Sequence, residues 1–302
     1  MRTIAELPDG SRDLAISPNG QRLYALSADG RRVVAINCGR ESDGSSRVVL
    51  EGETSDGPGR SLGCIDTSVV AILRQGAEGV VTTHRIPSAP ETAAADSPLQ
   101  RIPLSSDDGV VTADDRGCFL VSPTRNWLAA ATRIDGNAAV LRAAVAGARV
   151  SAFSTRNSPA IGAEASINCL TAGLADELVL VSATSESAAD TLAMFSTPGG
   201  WDLLQLDTGL LEILDICSTS PSGTLFAITG SLATSDAPQP TGLWRLDAVL
   251  QDRRQAVRAT LVAPLADPIA LVSGGDEVLY ATVENGRRLL EIRPSNVSSS
   301  QP

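Results

Sequence analysis

The sequence predicts an all-β fold assembled from repeated units of short antiparallel strands, and three observations predict it. The stretch Asp13 to Asn37, DLAISPNGQRLYALSADGRRVVAIN, reads as the strands Asp13–Ser17, Arg22–Ser27 and Arg32–Asn37. The gaps between them contain Asn19-Gly20 and Asp29-Gly30, pairs that accept the positive φ of a tight turn. Leu14, Ile16, Leu23, Val33 and Ala35 fall at the spacing of side chains that share one strand face. Finally, the pattern recurs. Ala25–Ile36, ALSADGRRVVAI, aligns without gaps to Ala281–Ile292, ATVENGRRLLEI, and Ser220–Ile228, SPSGTLFAI, echoes SPNGQRLYAL with one residue deleted.

The opening stretch resembles the consensus of a β-propeller blade, similar to the WD-like, YVTN and lactonase-type repeats. The resemblance implies four strands per unit, with the innermost lining a central channel. Weaker copies follow in order. The second unit is Ser61–Asp66, Val69–Arg74 and Gly79–Arg85; the third is Cys118–Ser122, Trp127–Thr132 and Ala138–Ala144. The fourth is Ser166–Thr171, Glu177–Ala183 and Thr191–Ser196. The fifth is Leu211–Cys217, Thr224–Gly230 and Gly242–Asp247, and the sixth is Ile269–Ser273, Glu277–Thr282 and Arg288–Ile292.

Outer strands follow the first five units at Arg47–Gly52, Leu99–Leu104, Arg149–Ser154, Leu203–Asp207 and Arg258–Ala263. The sixth unit has none, because Arg293 leads into a polar tail. Arg2–Leu7, otherwise unclaimed, is expected to complete it, so that the N-terminal strand closes a six-bladed ring and leaves no open edge there. The expected organisation is one propeller over residues 1–293, with the tail at 294–302. Asn37–Ser46, Ile86–Ser97 and Ser231–Thr241 are expected to be mobile loops, and Val249–Val257 a helical turn.

With 43% hydrophobic residues and 3% aromatic, a core of Val, Leu, Ile and Ala is expected. A net charge of −11 argues against nucleic acid and favours a basic protein or peptide partner. No apolar run is long enough to cross a bilayer and no signal peptide is visible, so a cytoplasmic protein is expected. Every basic residue is Arg, which removes lysine chemistry such as Schiff-base formation.

The five cysteines form no close pair in sequence. Cys64, Cys118, Cys169 and Cys217 are expected to be buried thiols on innermost strands, and Cys38 to be the exposed one. His84 is the only histidine, on a third strand, and is expected to pack rather than react. Asp107-Asp108 and Asp114-Asp115 read as a solvated acidic loop, and Asn296-Val297-Ser298 matches a glycosylation acceptor.

Two functions compete. The first is a non-enzymatic interaction or scaffold module, with Trp244, Arg245 and Trp201 as anchors for a partner. The second is implied by the lactonase-type resemblance: a calcium-dependent lactonase or hydrolase, its cation held by Asp13, Asn168 and Asp215, with Asp267 near the same position. For these carboxylates the alternative role is to accept hydrogen bonds from exposed backbone amides. No nucleophile, catalytic base or cofactor-binding motif stands out.

Overall fold

The computed structural model describes the chain except residues 39–43, 53–54, 76–78, 88–93, 96, 107, 114–116, 156–164, 174–177, 185–190, 198–199, 220–221, 231–238, 252–253, 276 and 295–302. The loops expected at Asn37–Ser46, Ile86–Ser97 and Ser231–Thr241 fall largely outside the described residues, as do Asp107, Asp114, Asp115 and the Asn296 acceptor. The chain forms two compact units, one of Asp9–Ile167 and one of Met1–Pro8 with Asn168–Pro302.

The chain opens with β1 (Arg2–Glu6), which belongs to the second of these units. In the unit of residues 9–167, blade one is β2 (Ser11–Ile16), β3 (Arg22–Ser27), β4 (Arg32–Asn37) and β5 (Ser46–Glu51). Blade two is β6 (Gly59–Asp66), β7 (Val69–Arg74), β8 (Val80–Arg85) and, after the short β9 (Ala94–Ala95), β10 (Gln100–Pro103). Blade three places β11 (Val111–Ala113) and β12 (Phe119–Val121) on the same edge of β13 (Trp127–Ile134), followed by β14 (Asn137–Ala146) and β15 (Arg149–Val150). An isolated bridge between Arg142 and Ser154 prolongs its outer edge.

Blade four consists of β16 (Ala165–Ala172), β17 (Leu178–Thr184), β18 (Thr191–Thr197) and β19 (Gly200–Asp207). Blade five is β20 (Ile213–Ser218), β21 (Leu225–Thr229), β22 (Gly242–Gln251) and β23 (Arg254–Pro264). Blade six is β24 (Ala270–Gly275), β25 (Val278–Val283) and β26 (Arg288–Ile292), completed by β1. The protein is thus an all-β propeller of antiparallel blades, and hydrogen bonding among the described residues resolves six sheets.

The turns of blade one show why the sequence folds this way. The Ser17 carbonyl accepts from Gly20 N–H at 2.8 Å, while Ser17 Oγ accepts from Arg22 N–H at 3.0 Å and donates to Asn19. The next turn repeats the set with Ser27, Gly30, Arg32 and Asp29. Gly30 is required twice over. Its φ is +72°, and a Cβ there would stand 2.2 Å from the Gly59 carbonyl oxygen.

The core lies between neighbouring blades. Tyr24, Leu26 and Val33 of blade one meet Leu62, Val70 and Ile72 of blade two. In the other unit Phe226, Ile228 and Leu243 of blade five meet Leu279, Ala281 and Leu290 of blade six.

Three expectations need correction. Val249–Val257 is no helical turn: Val249 pairs with Ala256 and Leu250 with Gln255, so the β22–β23 ladder runs on to Gln251 and Arg254. The apolar residues there satisfy their backbone across the hairpin rather than along a helix. The stretch Ile86–Ser97 is not all loop, because β9 pairs in parallel with β5 through Leu50–Ala94 and Glu51–Ala95. Nor is Cys38 exposed: it is 5% accessible, and its Sγ donates to the Gly20 carbonyl at 3.3 Å.

Cys64, Cys169 and Cys217 are buried as expected, Cys118 is half-buried, and none of the five is in a disulfide. Burial pushes the Cys64 thiol up to about 12 and the Cys217 thiol well above its ordinary range, so neither forms thiolate near neutrality. A maleimide titration of the native protein should therefore label Cys118 first and Cys38 slowly. Prompt labelling of Cys64 or Cys217 would contradict this packing.

Candidate functional site

The candidate site is built at the start of the innermost strands. In β2, β6 and β20 the pairing with the next strand slips by one residue at the same step, between Ser11 and Asp13, Gly59 and Ser61, and Ile213 and Asp215. Each slip is a β-bulge, a device that re-aims a side chain and is frequent beside functional sites. The extra residues are Arg12, Arg60 and Leu214.

Immediately after the bulge comes the carboxylate that the sequence offered as a cation ligand. Asp13 Oδ1 accepts from its neighbour Leu14 N–H at 2.7 Å. Its Oδ2 accepts from Ser61 Oγ at 2.5 Å and Leu62 N–H at 2.6 Å, both on the innermost strand of blade two. Asp215 repeats the arrangement 202 residues later. Its Oδ1 accepts from Ile216 N–H at 2.8 Å, and its Oδ2 from Leu271 N–H at 2.7 Å on the innermost strand of blade six.

Each aspartate is therefore a latch between consecutive blades, with one oxygen on its own strand and the other on the next. Burial, the largest influence, drives the Asp13 carboxyl up to about 6. The hydrogen bonds from Ser61, Leu62 and Leu14 and the charge of Arg12 oppose it and lose. The residue as a whole keeps some accessible surface, but the packed strands around its carboxyl remove the water that would stabilise the anion.

Asn168 lies on β16, 4% accessible. Asp267 is exposed, lies before β24 and adopts a positive φ of 42°; its carbonyl accepts from Asn285 N–H at 3.2 Å. The residue of β24 that matches Asp13 is instead Ala270, just before Leu271, whose N–H Asp215 holds. Among the described residues no group of three or more His, Cys, Asp or Glu side chains converges as a metal site would require.

His84 is 1% accessible, with Nε2 2.9 Å from Thr82 Oγ1 and 3.5 Å from the Arg74 guanidinium. Burial first, then the Arg74 charge, push it down to about 4, so the ring is neutral near pH 7 and out of reach of a substrate. Of the proposed anchors, Trp244 is half-buried and donates through Nε1 to Thr229 Oγ1 at 3.0 Å. Arg245 is exposed and pairs with Asp247 at 3.0 Å. The Trp201 side chain lies outside the described part of β19.

The sequence reading missed Arg12 and Arg60. A signal existed: Ser11-Arg12-Asp13-Leu14 and Gly59-Arg60-Ser61-Leu62 share the order small residue, Arg, polar residue, Leu. The bulge that singles out the Arg is invisible until the register is known.

No protein-family model matches the chain, and no curated protein does. Many solved structures share its fold. It is similar to a Trichoderma reesei protein of carbohydrate-active enzyme family AA12, with a TM-score of 0.63 at 13% identity over 97% of this chain and 95% of that one. It is also similar to a PQQ-bound aldose sugar dehydrogenase from Streptomyces coelicolor, with a TM-score of 0.60 at 15% identity over 96% of both chains. A third likeness is to a putative 6-phosphogluconolactonase from Bacteroides uniformis, with a TM-score of 0.58 at 17% identity over 96% of this chain and 82% of that one. At such identity the likeness is one of fold.

Proposed function

We propose that this propeller works as a non-enzymatic interaction module for a protein or peptide. The observation that carries the reading is the use made of Asp13 and Asp215. Both oxygens of each accept backbone N–H groups at 2.6–2.8 Å, which leaves them engaged in joining blades rather than turned toward a cation. A calcium ion takes six to eight oxygen ligands, and these two carboxylates already use part of their acceptor capacity on the N–H donors of neighbouring strands. The charge of −11 favours a basic partner whose binding weakens with salt; Arg245, exposed on β22 and paired with Asp247, would anchor it through an acidic or aromatic group of that partner.

A calcium-dependent lactonase or hydrolase is the second reading, favoured by the names of the sugar- and lactone-acting proteins that share the fold. Hydrolysis of lactone and ester substrates, with calcium or with chelator, separates the two. The expected result is no calcium-dependent turnover and no calcium-dependent rise in melting temperature. Turnover that requires both calcium and Asp13, lost in Asp13→Ala, would replace the interaction module with the hydrolase.

A further inference from the structure

Three polar side chains are packed into the face of blade two that meets blade one. Val70 and Ile72 of β7 belong to the core shared with Tyr24 and Leu26 of blade one. The register sets His84 opposite Val70 and Thr82 opposite Ile72, and residues opposite one another on neighbouring strands share a face. Arg74, two residues beyond Ile72, lies on it as well. All three are buried.

The hydrogen bonds among them run in one direction. A guanidinium only donates, so Arg74 Nε donates to Thr82 Oγ1 at 2.9 Å and Nη1 to the Gly57 carbonyl at 3.3 Å. The Thr82 hydroxyl keeps its own proton for His84 Nε2 at 2.9 Å, since the Ile72 carbonyl is farther away at 3.4 Å. Arg74 Nη2 approaches the same ring nitrogen at 3.5 Å. Nε2 thus faces two donors and acts as an acceptor, which fixes the neutral ring with its proton on Nδ1. A second proton, on Nε2, would remove both contacts and set an imidazolium against a guanidinium in a buried place.

The other ionisable groups around this core do not relieve that conflict. Arg101 on β10 is turned to Asp56 at 2.6 Å, and Arg47 on β5 donates to the Pro87 carbonyl at 3.1 Å. Tyr24 on β3, with Arg22 beside it, and Cys64 on β6 are acids that burial keeps uncharged. The charge that acts on His84 is that of Arg74.

We propose that the interface of blades one and two is an acid-sensitive seam, held shut by neutral His84 and opened locally when the ring takes up a proton. Linkage fixes the sign. A buried histidine held neutral supports the closed seam fully above its ordinary value of 6.5, and that support falls away as pH drops toward about 4. Asp13 responds in the opposite sense: it joins the innermost strands of the same two blades, and its protonated carboxyl is favoured in the fold below about 6. Acid therefore holds the seam at β2 and β6 while it loosens β7 and β8. The device needs no partner, so it stands apart from the interaction-module reading.

The test follows one thiol in the full chain between pH 7 and pH 4. Cys64 lies buried in the same core, and 4,4′-dithiodipyridine reacts with thiols in acid as well as at neutrality, with mass spectrometry to identify the labelled cysteine. His84→Gln is the control, because the Gln carbonyl accepts from Arg74 and Thr82 but does not titrate. The ratio of Cys64 labelling rates, native over His84→Gln, is expected to rise roughly hundredfold from pH 7 to pH 4. Taking the ratio cancels the Asp13 response and the pH dependence of the reagent, which both proteins share. A ratio that stays flat or falls would overturn the seam.

If His84→Gln fails to fold, the native protein decides alone. His84 is the only histidine, so its ring nitrogens give one unambiguous pair of magnetic resonance signals. They should report the Nδ1–H tautomer at pH 7, and protonation in acid should coincide with lost hydrogen-exchange protection on β7 and β8. An Nε2–H tautomer, or a ring that takes up its proton with that protection unchanged, would overturn the proposal.

Discussion

Deleting residues 1–7 is expected to lower the free energy of unfolding by on the order of 5 kcal/mol, read as a fall in the denaturant midpoint. The strand β1 pairs with β26 from Arg2–Glu291 to Glu6–Arg288, and Leu7 N–H donates to the Arg287 carbonyl at 2.7 Å. Ala5 and Leu7 are buried, so the deletion exposes apolar surface as well as a row of backbone groups on β26. Glu291, 8% accessible, would lose its 2.8 Å bond to Arg2 and keep only Arg293 at 2.9 Å. Leu7→Ala alone should cost about 2–3 kcal/mol. Unfolding curves that coincide for the native and truncated chains would show that β1 is dispensable to blade six.

The second large effect concerns the aspartate latches. Asp13→Ala leaves the N–H groups of Leu14 and Leu62 and the Ser61 hydroxyl without their acceptor, and should cost about 3 kcal/mol, with or without chelator. Asp215→Ala strands two N–H groups, those of Ile216 and Leu271, and should cost nearly as much. Asn does not rescue either site, because its NH2 group would meet an N–H donor where the second oxygen accepts.

The pH dependence of the Asp13 variants has a definite sign. With a folded value of about 6 against an ordinary 3.8, the native state holds a proton between these limits that the unfolded chain has released. The contribution of Asp13 to stability is therefore largest near pH 4, declines as pH rises through about 6, and is flat above it. The stability gap between native protein and Asp13→Asn should be widest near pH 4 and narrowest at pH 7. A gap that widens with rising pH would mean that the carboxylate, not the protonated acid, is the favoured form in the fold.

Much of this architecture is legible in the chain because its repeats carry their own punctuation. Ser17-Pro18-Asn19-Gly20 and Ser27-Ala28-Asp29-Gly30 fix two turns, and with them the bounds of β3 and β4, through local bonding alone. The place of β1 followed from counting outer strands. Features set by distant neighbours were not legible. The two-residue β9 has no periodicity of its own and exists only because β5 offers an edge. The burial of Cys38 depends on the Gly20 carbonyl, 18 residues upstream. Asp13 and Asp215 were legible as members of one set with Asn168 and Asp267, but their equivalence and their role were not: a carboxylate that joins strands and one that binds a cation look alike until the register and the opposing N–H groups are placed.

The pairing of β1 with β26 also constrains when this protein can finish folding. Residues 2–6 are made well before their partners at 288–291. Until those partners have been made, β1 has no place to dock. A contact between Arg2 and Glu291 spans 289 positions, so it closes a very long loop and belongs to the late, slow phase of assembly. Blades one to three, built within residues 9–167, face no such wait and can form while the C-terminal half is still being made.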